Sequence, residues 1–516
     1  MDTPPVGLRL AELVASLSLA TDLGLGQPEE HVLRQTVIAT RLAKAAGFSG
    51  AEQAAAFYVS LLAWVGCVAD SHEMAHWFGD DRVIRADSYR VDKAGLPMMG
   101  FLLGHLGPGL SPIRRMALTG AFLTSGFRDA MHSFLTHCQT TADIADRLRL
   151  QDEVCAALPQ AFERWDGKGV PNGIAGARIT RVMRVVQIAD DAEVYCRFGG
   201  PAAAVEMLRS RSGTEFDPEL VALCERRPEV LDDIDSVDAW SAVIDGCAAL
   251  DRWVPDAELT EVLEIFADYA DLKSPWFLGH TRATAALAGA AALRCGMAGE
   301  EAAEVTRAAL VSRLGVTGVS TGIWNKTTAL SPAEFERVRM VPYLTERVLS
   351  RCARLRRLGT VAGLCHERMD GSGYPRGVSG AAIPPSARLI AAADTFQALG
   401  EERPYRAAMA LDQRCAILRD EVAAGRLDSE AVRAVLEAAG QRAPRRIRRV
   451  AGLTAREIEV LQLLVRGRSN KQIAAQLSIT PRTAGTHIEH IYTKIGVTTR
   501  GAAAMFAMRH GLVGAD

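Results

Sequence analysis

The sequence predicts an all-α chain, with two tandem copies of one helical domain followed by a basic linker and a four-helix module. Two observations carry this expectation. Residues 161–190 match 365–394 at a constant offset of 204, and the stretch from His31 through 61–67 matches that from His280 through 310–316 at an offset of 249. The unequal offsets place about 45 extra residues in the first copy, near 68–112. From Thr454 onward, in turn, polar capping residues alternate with apolar residues at helical spacing. The expected boundaries are 1–235 for the first copy, 236–440 for the second, 441–450 for the linker and 451–516 for the last module.

The last module is the more explicit half of the sequence. Thr454 caps a helix with apolar residues at 458, 460, 461, 463, 464 and 465 that stops at Gly467. Asn470 is read as the cap of a short second helix with Ile473, Ala474 and Leu477 on one face. Thr480 caps a third helix with Pro481 at its first position, where a missing N–H costs nothing. On that helix Ile488, Ile491 and Ile495 form the stripe expected to be buried. Arg482, Thr483, Thr486, His487, His490 and Lys494 are left for phosphates and base edges. The strings LTAREIEVL, GRSNKQIA and KIGVTTR resemble the LuxR (NarL/FixJ) type of helix-turn-helix. The resemblance implies that Ser469, Asn470 and Lys471 join those residues and Thr480 at double-stranded DNA. Ala484 and Gly485 depart from the family, which usually has a β-branched residue and a Lys there. Gly485 therefore removes a cation and about 1 kcal/mol of helix propensity.

Charge separates the two parts. From residue 441 onward there are 13 Lys and Arg against 4 Asp and Glu, a net of +9, whereas the rest of the chain carries 46 against 57, a net of −11. The run Arg442–Arg449 reads either as a source of phosphate contacts or as a solvated connector. The chain is 516 residues long and 48% hydrophobic, with ten scattered cysteines and no Cys-x-x-Cys pair. With no leader pattern and no long apolar run read from the sequence, a cytoplasmic protein without membrane contact is expected.

The string HERMDGSGYPRG, with IPPSARLIAAADTFQAL and RPYR, resembles the HD-GYP phosphohydrolases over about residues 265–437. These are helical enzymes that use two or three metal ions to hydrolyse cyclic di-GMP. The resemblance implies ligands converging from several helices. His280, His366 and Asp394 match, but Ser312-Arg313 stands for the His-Asp pair, Val316 for a Lys, Val341 for a His and Cys365 for another His. A guanidinium about 4 Å from a divalent ion costs on the order of 8 kcal/mol at an effective dielectric of 20. The first copy keeps His31, His137 and Asp190 but has Ala63-Trp64, Cys67 and Ala161-Phe162 at the other positions.

Both copies are therefore expected to be inactive, without catalytic residues or a cofactor. The former clefts become effector pockets, lined by His31, Trp64, Cys67, His137, Phe162 and Asp190 in one copy and by His280, Arg313, Cys365, His366 and Asp394 in the other. The effector is left unidentified. The expected function is a homodimeric, sequence-specific DNA-binding regulator. The rival is an active metal-dependent phosphodiesterase of the cyclic di-GMP type fused to a DNA-binding domain. His72 and His76 form a His-Glu-x-x-His string, read as a polar helix face ahead of a zinc site.

Overall fold

The computed structural model describes residues 7–246, 252–440 and 450–513, so the Arg442–Arg449 run lies outside the described residues. They are helical apart from one antiparallel pairing of β1 (Gly7–Arg9) with β2 (Trp253–Pro255), in which Leu8 faces Val254. The chain forms two compact units, Met1–Asp256 and Ala257–Asp516. The expected boundary at 235 thus falls inside the first unit, because β2 pairs with the N-terminal strand and a helix at Ala239–Asp245 packs on the one beginning at His31.

The first unit contains α1 (Leu10–Leu25), α2 (His31–Ala45), α3 (Gly50–Leu62), α4 (Ser71–Phe78), α5 (Asp81–Ser88), α6 (Gly95–His105), α7 (Pro112–Ala121), α8 (Phe127–Arg147), α9 (Asp152–Ala157), α10 (Arg181–Ser210), α11 (Pro218–Arg226) and α12 (Ala239–Asp245). Helix α1 is buried on every face from Leu13 to Asp22. It tolerates serine and threonine there because their hydroxyls donate back along the helix, as Ser16 does to the Glu12 carbonyl at 2.8 Å. The α3 terminus is set by a reciprocal cap between Ser49 and Glu52. The window Gly50–Val68 is apolar and long enough to cross a membrane, but 78% of it is buried inside the protein, as in a core helix. Helices α4 to α7 fill the inserted stretch and have a small core of their own, Trp77, Phe78, Ile84, Leu106 and Phe122.

The second unit contains α13 (Asp256–Asp271), α14 (His280–Arg294), α15 (Gly299–Val311), α16 (Thr321–Trp324), α17 (Pro332–Arg339), α18 (Val341–Leu349), α19 (Ala353–Ala362), α20 (Pro385–Leu399), α21 (Leu411–Ala423) and α22 (Ser429–Gly440). Then come α23 (Ala455–Val465), α24 (Asn470–Leu477), α25 (Pro481–Ile495) and α26 (Arg500–Arg509). Helix α14 is central and packs on α15, α20 and α22.

The same contacts recur at the offsets read from the sequence. Asp22 accepts from the Val32 N–H at 3.1 Å, and Asp271 from the Thr281 N–H at 2.9 Å. Burial pushes both carboxyls up to about 7. Glu163 accepts from the Asn172 and Ile174 N–H groups, and Glu367 from those of Arg376 and Val378. One buried carboxylate thus closes each DG-containing loop. A side chain at Gly66 would strike the His137 carbonyl, and one at Gly315 the Val341 carbonyl. Glycine is required there by close backbone approach.

Candidate functional site

Each copy centres on a buried histidine held between two carboxylates. In the second copy, His280 at the start of α14 reaches Asp394 Oδ1 through Nε2 at 2.9 Å and Glu401 Oε2 through Nδ1 at 2.8 Å. Burial opposes its charge, but Glu401 and Asp394 raise its pKa above the ordinary value. Despite its own burial, Asp394 is held below the usual carboxylate range by His280. Arg313 follows α15 with Nη1 3.9 Å from Asp394 Oδ1 and its guanidinium over the Phe277 ring, 4.5 Å from the centroid. Cys365 is buried, its thiol pushed up to about 12 by burial. The ring of His366 stacks parallel on Tyr374, with centroids 5.2 Å apart. Burial pushes this histidine down to about 4.

The first copy is filled. His31 Nε2 lies 3.2 Å from Asp190 and Nδ1 2.5 Å from Glu193. Although burial disfavours its charge, Glu193 and Asp190 raise its pKa to about 10. Trp64 donates to Gln35 at 3.1 Å, and its ring sits 5.8 Å from Phe162. His137 is 4.7 Å from Phe162 and donates to the Ala63 carbonyl at 2.7 Å. Burial pushes His137 down to about 4 and the Cys67 thiol up to about 12.

Sequence reasoning missed what covers this site. Tyr89, just after α5, donates to Asp190 at 3.1 Å, and Lys93 donates to Asp191 at 2.8 Å. The insertion therefore lies across the cleft of its own copy. Glu193 and Glu401 were also missed, because they sit at different distances from the matched aspartates and obey no constant offset. His72 and His76 share α4, where His76 packs edge-on to Trp77.

The last module has four helices, with the cap of α23 at Thr454 and that of α25 at Thr480. The cap of α24 is Ser469 and not Asn470: Ser469 accepts from the Gln472 N–H at 3.3 Å, and Gln472 accepts in return at 2.8 Å. On α25, Ala484 and Ile491 are buried, Ile488, Ile495 and His487 are half-buried, and Arg482, Thr483, Thr486 and His490 are exposed. Lys471 and Asn470 are exposed on α24. Lys494, expected at DNA, is also exposed. Its ammonium donates to both Glu457 oxygens, at 2.7 and 2.8 Å, and to the Gly452 carbonyl at 3.2 Å. All three donors are used inside the module.

This module also touches the second cleft's framework. Arg468, between α23 and α24, pairs with Glu402 and lies over the Trp276 ring, 5.9 Å from its centroid. Glu401, beside Glu402, is the residue that holds His280 Nδ1. Arg403 completes the link, donating to Glu401 at 2.7 Å and to the Trp276 carbonyl.

These two helical copies and the four-helix module define a chain that belongs to the HD domain family, which matches residues 128–220 and 264–431. Residues 451–507 match the luxR family of bacterial regulatory proteins. The chain is thus a transcription regulator with a LuxR-type DNA-binding domain. It is 30% identical over 418 residues, 80% of this chain and 91% of the relative, to a 3'3'-cGAMP-specific phosphodiesterase 3 of Vibrio cholerae serotype O1. A crystal structure of a cyclic GMP-AMP specific phosphodiesterase of V. cholerae matches with a TM-score of 0.59 and 27% identity, over 85% of this chain and 99% of that one. The last module is 48% identical over 61 residues, 12% of this chain and 28% of the relative, to the transcriptional regulatory protein MctR of Rhizobium johnstonii.

These relationships correct two expectations. A chain that matches a phosphodiesterase over most of its length is not to be classed as a non-enzyme on substituted positions alone. The expectation of no cofactor falls with it, since the related HD phosphodiesterases are metal-dependent. At Asp394 the side chains do not fit a divalent ion in the arrangement described. Arg313 flanks the carboxylate, and among the described residues no three His, Cys, Asp or Glu groups converge to hold an ion.

Proposed function

We propose that the chain is a cytoplasmic, homodimeric, sequence-specific DNA-binding regulator whose second HD-type copy engages a cyclic dinucleotide and reports its occupancy to the LuxR-type module. The observation that carries this reading is the contact of Arg468 with Glu402 and Trp276, next to the residues that hold His280. A ligand that shifts Asp394, His280 or Glu401 acts on the segment to which the DNA-binding module is fastened. The dinucleotide class comes from the name of the V. cholerae relative. The test is operator affinity of the full chain, by fluorescence anisotropy, with and without saturating 3'3'-cGAMP. A change of about fivefold or more is expected, the lower range of coupling between sites. Identical affinities with bound dinucleotide would overturn the reading.

The 30% identity to a phosphodiesterase favours a second reading, in which this half also hydrolyses the dinucleotide. Manganese-dependent release of linear dinucleotide, abolished by Asp394→Ala, establishes it. No turnover with manganese or iron removes it.

A further inference from the structure

Helices α6 and α7 of the inserted stretch are rich in apolar residues, yet neither contains a fully buried one. Phe101, Leu102, Leu103 and Leu118 rest on the small core of Trp77, Phe78 and Phe122. The outward side is apolar as well. On α7, Ile113, Met116, Ala117 and Gly120 recur at the spacing of one helix face, and Leu123 follows just beyond. Ile113 is 77% exposed, Met116 71% and Leu123 59%, and on α6 Leu96 is 87% exposed. Together these side chains leave on the order of 500 Å² of apolar surface in water, near the upper end of what a monomer leaves open.

Glycine marks the same faces. Leu96, Gly100 and Gly104 follow one another at four-residue steps along α6, and all three are exposed. Glycine inside a helix weakens it, so its presence calls for a reason. No clash within the chain supplies one, because a Cβ at Gly100, Gly104 or Gly120 would meet nothing within 4 Å. Bare backbone at these positions suits the close approach of a helix from outside.

Charge narrows the occupant. From Ala94 to Thr124 the chain has no Asp or Glu and two arginines, Arg114 and Arg115. Arg115 donates to the Gly104 carbonyl at 2.8 Å, at the end of α6. Anionic lipid is held by clusters of about four to eight basic residues, more than this face offers. A second copy of the same face brings no carboxylate to be desolvated and the same open glycines. A stable interface takes about 800 Å² from each partner, with an apolar core inside a polar rim, so the area open here supplies such a core.

We propose that α6 and α7 form a two-fold interface with the same helices of a second copy of this chain. Ile113 and Met116 make its core, and Gly100 and Gly104 admit the facing backbone. In such a contact each copy offers the same patch, and closing the dimer covers both. This rests on the homodimer of the proposed function and supplies its surface, and it is independent of what the second cleft binds.

The test is sedimentation velocity of the full-length protein at micromolar concentration, with and without operator DNA. The wild type should be a dimer. Ile113→Asp and Met116→Asp should each weaken it about tenfold or more, with helical circular dichroism unchanged. Leu293→Asp, at a 56% exposed leucine of α14, should stay dimeric. Gly100→Leu separates a fitted interface from a merely apolar one. The new side chain has room in the monomer, so it should fold and yet dissociate the dimer, whereas a dimer as tight as the wild type overturns the close approach along α6. Dimers that persist in Ile113→Asp and Met116→Asp overturn the surface and leave the homodimer standing. A wild type that is monomeric throughout, on DNA as well, overturns surface and homodimer together. Co-sedimentation of the wild type with phosphatidylglycerol vesicles, lost in Met116→Asp, would overturn the second copy as occupant in favour of lipid.

Discussion

His31 shows what an HD-type position becomes when it is surrounded by carboxylates and closed off by the protein's own insertion. Glu193 and Asp190 raise its pKa to about 10 against an ordinary 6.5, and Glu193 is lowered to about 2 in return. A base whose folded pKa is raised contributes stability that is fully present below the unfolded value and is lost as pH rises through the folded one. Asp22, raised to about 7 from 3.8, has completed its own loss of stability by then. Tyr89, Lys93 and Cys67 face the same pocket with pKa values above their ordinary ones. The melting temperature of the full chain should therefore fall by a few degrees between pH 7.5 and 10. In His31→Gln that fall should be smaller. Equal slopes for the two proteins would show that His31 is not held charged.

Among the elements, α25 has the exposed face of a recognition helix and one weak position within it. A side chain at Gly485 would meet only Asn470 Nδ2, at 3.6 Å, which is ordinary contact. Gly485→Lys is thus expected to fold, to tighten non-specific DNA binding and to steepen the dependence of log affinity on log salt by about one unit. Lys494→Ala should behave differently. Its ammonium ties α25 to the α23 capping residue Glu457, so its loss should lower the module's stability and leave the salt slope unchanged. A slope reduced by one unit in Lys494→Ala would return that residue to the phosphate backbone. These helices were legible in the sequence because caps and apolar spacing are local signals. The partner of Lys494 was not, since Glu457 lies 37 residues away and both residues look equally solvent-directed in the sequence.

At the scale of the whole molecule, the LuxR-type module is fastened to the second HD-type copy. Arg468 makes both the ion pair to Glu402 and the ring contact with Trp276. Arg468→Ala should leave cyclic dinucleotide binding unchanged and abolish its effect on operator affinity, read by anisotropy with ligand present and absent. An intact ligand effect would mean that the coupling runs elsewhere.

The sequence by itself determined the helical class, the duplication with its unequal offsets, and the caps at Thr454 and Thr480. All of these follow from local spacing or from comparing the two copies. Asp22 and Asp271 were within its reach by the same offset. Tertiary structure alone decided that Tyr89 and Lys93 cover the first cleft, that Glu193 and Glu401 hold the two histidines from unmatched positions, and that Glu457 takes up the Lys494 ammonium. Each depends on which groups meet across more than a hundred residues or between helices, and a side chain's charge is usable only where packing leaves it without a partner.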